Sequence, residues 1–282
     1  MLILNETAEA ERIIKEHKLS SKPMQELILI ARYHFSKTNS SNSKVRSELL
    51  KILSNNFDDY NSIEWNNKLD SCIKIAKNHP LKDIDYIPIT MNEINRIMSI
   101  KKKKLEKLAF TVLVISKYYN IKNQNNNNYV NEEYSVIFKQ ARVTATIMEQ
   151  PLLLNDLKQL GLIEKSKNIN NNNFNVKFID DNSQIVMKIT DLRELGYTYL
   201  EYIGEHFIHC AECGVLLRPR SNKQKYCKSC ASYQPIKTKL IICCDCGKKF
   251  KLNSMNTKTK RCIDCQNTYI RDYDRVRKQN SV

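Results

Sequence analysis

The sequence predicts a mainly α-helical protein with small β elements and a cysteine-rich end. Apolar residues recur at helical spacing through most of the chain, and three short β-prone segments lie between residues 162 and 190. Nine of the ten cysteines fall between residues 210 and 265. We therefore predict four domains, at residues 1–82, 90–204, 205–236 and 237–282.

The first predicted domain, residues 1–82, is helical. Segments such as "PMQELILIARYHF" and "SKVRSELLKILSNNF" place Leu27, Leu49 and Leu53 on apolar helix faces. Cys72 falls on the apolar face of a further helix, so we expect a small buried residue there. The segment "LKDIDYIPIT" that follows is predicted to be a linker or an edge strand.

The second predicted domain, residues 90–204, has helices followed by strands. A capping box at Thr90 and Glu93 precedes a long helix predicted from about Ile97 to Tyr119. Two shorter helices are predicted in "NEEYSVIFKQARV" and "ATIMEQPLLLNDLKQLG". The segments "LIEKSK", "FNVKFI" and "QIVMKIT" are then predicted to form one small antiparallel meander.

The segment "LLNDLKQLGLIEKS" resembles the junction of the third helix and first wing strand in winged helix-turn-helix proteins. The resemblance covers about residues 97–190 and implies that the third helix lies in a DNA groove. The sequence departs from that pattern, because Pro151 is expected to break this helix and its exposed positions carry one base and one acid. These positions are Thr146, Glu149, Gln150, Asn155 and Lys158. DNA binding and a protein-interaction or structural role are therefore both kept as hypotheses for this domain.

The charge of the chain is concentrated towards its end. The whole sequence has a formal net charge of +16, and residues 205–282 hold 17 Lys and Arg against 6 Asp and Glu. A concentrated positive charge favours a polyanionic partner, and solubility alone is the alternative explanation.

The chain shows no motif of the common catalytic classes. It has five glycines, which form neither a G-x-G-x-x-G nor a Walker A loop, and it contains no G-x-S-x-G or H-E-x-x-H sequence. We therefore expect a protein without enzymatic activity.

The N-terminal segment does not have the pattern of a signal peptide. "MLILNETAEAERIIKEHKLS" carries early acidic residues, and the longest apolar helix is too short for a bilayer. We accordingly expect a cytoplasmic protein with no membrane partner. Thiols stay reduced in the cytoplasm, so the crowded cysteines favour a metal over disulfides.

The cysteines form two copies of a repeat. "IHCAECG" and "IICCDCG" start 33 residues apart, and each is followed by a basic loop and a second C-x-x-C pair. A C-x-x-C turn, or knuckle, presents two sulfurs, and the glycine after it, Gly214 or Gly247, permits a positive φ. Two knuckles are predicted to complete each tetrahedral four-sulfur site. The predicted ligands are Cys210, Cys213, Cys227 and Cys230 in the first site and Cys243, Cys246, Cys262 and Cys265 in the second.

Cys244 aligns with Ala211 of the first copy. We therefore interpret Cys244 as a spare thiol. Its use as a ligand in a C-x-C pair with Cys246 is the alternative.

The repeats resemble the zinc-ribbon class of small metal-binding domains over residues 208–266. This resemblance implies two structural Zn²⁺ ions, since four thiolates leave no open position for catalysis. The loops and the end of the chain, "YIRDYDRVRKQ", are rich in cations and are predicted to contact nucleic acid, with DNA and RNA not distinguished. The predicted contacts are Arg218, Arg220, Lys223, Lys225, Lys248, Lys249, Lys251, Lys258, Lys260, Arg261, Arg271 and Arg275. A protein-docking role, with solvated loops, is the alternative.

These features together predict a non-enzymatic, zinc-dependent nucleic-acid-binding protein, regulatory or accessory to replication or transcription. An adaptor or inhibitor that binds a host or defence protein machine is the alternative hypothesis. The Asn- and Lys-rich, Gly-poor composition is similar in style to proteins of phages and mobile elements of Gram-positive bacteria.

Overall fold

The computed structural model describes residues 2–20, 22–57, 61–123, 126–166, 173–233, 238–253 and 258–279. The protein is mainly helical with small sheets, as the sequence predicts. The chain forms two compact units: the first is Met1–Cys210 with Gly214–Lys225, and the second is Ala211–Cys213 with Tyr226–Val282. The four-domain division stays a prediction. No helix in the described ranges has both the length and the apolarity needed to cross a membrane.

The first unit begins with four helices that share an apolar cluster. These helices are α1 (Glu6–Glu16), α2 (Pro23–Thr38), α3 (Asn42–Asn56) and α4 (Ser62–Asn78). Leu27, Leu49, Leu53 and Cys72 are fully buried in the cluster, and the burial of Cys72 confirms its predicted position. Each buried Leu stabilises the fold by about 1.5–3 kcal/mol, so this cluster holds the four helices together.

A second apolar cluster in the same unit surrounds a central helix. The elements, in order, are β1 (Ile87–Thr90), α5 (Met91–Met98), α6 (Lys103–Lys122), β2 (Tyr129–Val130), α7 (Tyr134–Gln140), α8 (Glu149–Gln159), β3 (Ile163–Lys165), β4 (Phe174–Val176), β5 (Ile185–Ile189) and α9 (Leu195–Tyr202). Helix α6 is buried almost continuously along its length. The rings of Phe110 on α6 and Tyr199 on α9 pack 5.5 Å apart, which joins the two helices in the core.

The β-prone segments pair differently from the prediction. Strands β2, β4 and β3 form one antiparallel sheet in that order, with Ile163 opposite Val176. The predicted meander is wrong in its last strand, because β5 pairs with β1, and Ile87 lies opposite Ile189. The reason is that β4 already has a partner on each edge, so β5 must find its hydrogen bonds elsewhere.

Two helix predictions also need correction. The predicted helix from Ile97 to Tyr119 is two helices, since α5 ends at Met98 and α6 begins at Lys103. Lys101 between them has a φ of 55°, which no continuous helix permits. Pro151 does not break α8, because the helix begins at Glu149 and Pro151 lies in its first turn, where a missing N–H leaves no helical bond unmade.

A buried ion pair ties α5 to α6. The ammonium of Lys117 lies 2.8 Å from Glu93 Oε1, and both side chains are buried. The other Glu93 oxygen accepts the backbone N–H of Thr90 at 2.8 Å, so the predicted capping box is confirmed. The N–H of Asp180 also donates to Glu93, which fixes the loop between β4 and β5. Glu93 is therefore fully hydrogen-bonded inside the core.

The remaining elements surround the cysteines. They are β6 (Ile208–His209) and β7 (Leu216–Leu217) in the first unit, and α10 (Lys228–Tyr233), β8 (Thr238–Ile242), β9 (Lys249–Asn253) and α11 (Ile263–Gln279) in the second. Strands β6 and β7 form one antiparallel pair, and β8 and β9 form another. Phe207 and Leu216 belong to the second apolar cluster, so the first pair is anchored in the core of its unit.

Candidate metal centres and the cationic residues around them

The structure brings the eight predicted ligands together in two quartets. The sulfurs of Cys210, Cys213, Cys227 and Cys230 all lie within 4.8 Å of one another, and so do those of Cys243, Cys246, Cys262 and Cys265. Each quartet can therefore hold a metal ion.

The spacing of the sulfurs fits a tetrahedral thiolate site. The sulfurs of Cys213 and Cys227 are 3.8 Å apart, and those of Cys246 and Cys262 are 3.6 Å apart. Four sulfurs at ~2.3 Å from a central Zn²⁺ would stand about 3.8 Å from one another. A disulfide would require about 2.05 Å, and all ten cysteines are free thiols in the structure. The donor set and its geometry fit zinc.

The first pair of each quartet lies in a knuckle at the end of a strand pair. Gly214 and Gly247 have φ values of 69° and 70°, as predicted for the position after the second cysteine. The N–H of Gly214 donates to the carbonyl of Cys210 at 2.9 Å, and that of Gly247 donates to Cys243 at 3.1 Å. The two knuckles therefore have the same backbone geometry, which only a residue tolerant of left-handed backbone can adopt.

The second pair of each quartet is built differently from the prediction. We predicted a second knuckle, but Cys230 and Cys265 lie in the first turns of α10 and α11. The N–H of Cys230 points at the sulfur of Cys227, 3.4 Å away. Sulfur anions at a helix N-terminus are stabilised by its free N–H groups and its dipole, which is the physical reason for this arrangement. Each repeat is thus a knuckle followed by a helix.

The electrostatics of the second quartet favour the binding of a cation. Backbone N–H groups of Cys246 and Cys262 point at Cys243 and lower its pKa to about 6. The pKa of Cys265 is raised, mainly by hydrogen bonds to the sulfurs of Cys246 and Cys262 and further by burial and the negative Cys243. One thiolate therefore forms readily at Cys243, whereas Cys265 keeps its proton because its thiol donates hydrogen bonds to the neighbouring sulfurs. A divalent cation can take the place of that proton between the sulfurs.

Cys244 lies outside the quartet that contains Cys243 and Cys246. Its thiol is exposed and donates to the carboxylate of Asp245 at 3.3 Å, and this hydrogen bond raises the pKa of Cys244. A raised pKa disfavours the thiolate that a metal requires.

Two of the predicted nucleic-acid contacts are held by the protein itself. Arg218 is ion-paired with Glu205, and its guanidinium lies 5.3 Å from the centre of the Phe207 ring. Arg261 is ion-paired with Asp245 at 2.6 Å. These two cations are oriented by acidic neighbours, so part of their charge is neutralised locally.

The other predicted contacts are exposed on loops, strands or α11. Lys249 and Lys251 lie on β9, directly opposite Ile242 and Leu240 of β8, so two cations and two exposed apolar side chains share one face of the strand pair. The remaining exposed cations are Arg220, Lys223, Lys225, Lys248, Lys258, Lys260, Arg271 and Arg275.

Sequence reasoning gave little weight to two exposed features. The rings of Tyr269 and Tyr273 on α11 lie side by side at the surface, and their spacing of four residues is the signal that predicts this in a helix. Ile147, Met148 and Leu152 at the start of α8 are 86, 85 and 65% exposed. Helical periodicity does not predict the exposure of these three residues, because they span the loop and the first turn of α8.

Comparison with known proteins adds no relative. No family model matches the chain, and no curated protein or solved structure matches it significantly.

Proposed function

We propose that this chain is a non-enzymatic protein that binds nucleic acid through a surface organised by two structural zinc ions. The observation that carries the proposal is that the two cysteine quartets lie within the cation-rich residues 205–282. Four thiolates in a tetrahedral arrangement suit zinc, with iron as the other metal that uses this donor set, and they leave no coordination position for a substrate.

The second unit supports a structural role for the metal. Among its described residues only Cys243 and Cys262 are buried, so it has almost no apolar core. Structural zinc sites supply about 10–16 kcal/mol of binding free energy, which replaces the missing hydrophobic burial. We propose that zinc folds this unit, with each repeat a variant of the zinc ribbon that has one knuckle and one helix.

The middle of the chain supports a winged helix-turn-helix domain. In the order α6, β2, α7, α8, β3, β4, the first strand lies between the first two of three helices. The three strands pair in the order β2-β4-β3, so β3 and β4 are in the position of a wing. The third helix of this arrangement, α8, has Lys158 as its single base. We therefore assign the main nucleic-acid contact to the cysteine repeats rather than to α8.

The test is the salt dependence of binding by the zinc-containing protein. Backbone contacts release counterions, so affinity for DNA or RNA should fall steeply with salt. Replacing Lys248, Lys249 and Lys251 by Ala should flatten the slope of log K against log salt by up to about 1 per lysine.

The matched control replaces three exposed lysines of the N-terminal helices, Lys15, Lys44 and Lys74, by Ala. This variant has the same change in net charge, and its slope should stay close to that of the wild type. An equal effect of both variants would assign binding to overall charge. No salt-dependent binding to either DNA or RNA would refute the proposal.

A second candidate function is that of an adaptor or inhibitor that binds a protein machine. The exposed trio Ile147, Met148 and Leu152 favours it, since a DNA-reading helix would present polar side chains there. A stoichiometric protein partner, retained after nuclease treatment and lost when Ile147 and Leu152 are replaced by Ser, would support this candidate. A partner unaffected by that change would contradict it.

A further inference from the structure

We infer that Tyr269, Tyr273 and Arg261 form a platform on which unpaired bases stack, so that the ligand of the second cysteine repeat is single-stranded nucleic acid. This inference rests on the proposed function and names its ligand class.

The platform is an ordered run of planar groups. The rings of Tyr269 and Tyr273 are 6.5 Å apart with an interplanar angle of 23°, one helical turn from each other on α11. The guanidinium of Arg261 lies 4.3 Å from the centre of the Tyr269 ring. Asp245 holds that guanidinium through the 2.6 Å ion pair. Asp245 of the knuckle thus fixes the guanidinium of Arg261 over the ring of Tyr269. The ring of Tyr273 lies next to that of Tyr269 and continues the row.

The rings of Tyr269 and Tyr273 are not part of an apolar core. Tyr269 is 48% exposed and Tyr273 is 60% exposed. Val276, three residues after Tyr273 on the same side of α11, is also about half exposed. Aromatic rings left in water retain their stacking capacity, and single-stranded nucleic-acid binders use such rings for successive bases.

The surrounding charge selects a polyanion as the occupant. In residues 238–253 and 258–279, 11 Lys and Arg stand against 4 Asp and Glu. Phosphates bind such a surface, whereas a second copy of it would be repelled. The exposed rings can stack on the bases of a nucleic acid, and the surface cations can bind its phosphates.

The geometry favours unpaired bases over a duplex. In a duplex the base faces are covered by neighbouring pairs, and a protein reaches only the base edges in the grooves. Ring faces can be used only where bases are unstacked. Asn267, Arg271 and Arg275 follow one another at four-residue spacing on α11 and can contact phosphates or base edges, so it is the two exposed ring faces that point to unpaired bases.

The experiment compares three fluorescent probes of equal length with the full-length, zinc-containing protein: oligothymidylate, an abasic oligonucleotide and a duplex. The abasic strand has the phosphates without the bases. We expect oligothymidylate to bind at least tenfold more tightly than the abasic strand, since stacking on one ring is worth about a factor of ten or more.

The variant Tyr269→Ala/Tyr273→Ala should weaken oligothymidylate binding by at least tenfold and leave abasic binding unchanged. The variant Tyr269→Phe/Tyr273→Phe keeps both ring faces and should bind like the wild type. Zinc content and circular dichroism establish that each variant is folded, and the probe comparison on the wild type needs no variant at all.

The outcomes separate this inference from the proposed function. Salt-dependent binding that is equal for oligothymidylate, abasic strand and duplex, or unaffected by the Ala variant, would overturn the platform and leave the proposed function standing. The absence of binding to every probe would overturn both. A wild-type dimer that becomes a monomer in the Ala variant, measured by light scattering, would show that the rings join two copies and would also overturn the platform.

Discussion

Replacing Gly247 by Ala tests whether the knuckle geometry is required for metal binding. Gly247 has a φ of 70°, and a Cβ built on it meets no atom within 4 Å. The substitution therefore adds no clash, and its cost is the left-handed backbone alone, about 1–2 kcal/mol for a residue with a Cβ. Because zinc binding and knuckle formation are coupled, this cost should appear as a ~5–30-fold loss of zinc affinity at the second site.

The assay is competition for zinc between the reduced protein and a chromophoric chelator. Gly214→Ala is the matched variant of the first site, so each change should weaken one of the two zinc ions. Gly247→Asn should lose less, since Asn tolerates this backbone region. Gly204→Ala is the positional control, because Gly204 also has a positive φ and open space but lies outside both knuckles. Unchanged affinity for both zinc ions in Gly214→Ala and Gly247→Ala would refute the reasoning.

Two further predictions concern the core. Glu93→Ala should lower the free energy of unfolding by up to about 3–5 kcal/mol, because the buried ammonium of Lys117 then keeps the largely exposed Asp181, 2.9 Å away, as its carboxylate partner. Urea denaturation measures this loss, and a loss below about 1 kcal/mol would contradict the prediction. Gly196→Ala should lower the stability of the fold by more than the usual 1–3 kcal/mol of overpacking, since the new Cβ would lie 1.9 Å from the carbonyl oxygen of Ala141. A thermal unfolding midpoint equal to that of the wild type would show that Gly196 does not approach Ala141 so closely.

The two cysteine quartets could be predicted from the sequence because their determinants are local. A C-x-x-C-G turn fixes its own backbone, and the positive φ of Gly214 and Gly247 follows from five consecutive residues. The apolar cluster around Leu49 and Leu53 was likewise readable from helical periodicity. In both cases, the pattern and its physical cause lie within one short segment.

The features that escaped prediction depend on distant parts of the chain. Strand β5 pairs with β1, nearly a hundred residues earlier, because both edges of β4 are taken. The helix break near Lys101 and the helical placement of Cys230 and Cys265 depend on packing and on hydrogen bonds to sulfur, which spacing alone does not reveal. The contact of Arg261 with Tyr269 depends on Asp245 in the knuckle of the same repeat. Sequence patterns identify such segments but not their partners.

The account depends most directly on the metal, so the decisive measurement is the zinc content of freshly prepared, reduced protein by native mass spectrometry. The account predicts two Zn²⁺ per chain, and one in a variant with Cys262→Ser and Cys265→Ser. It also predicts that chelation unfolds the second unit. A protein that carries no zinc while its second unit stays folded would contradict the account.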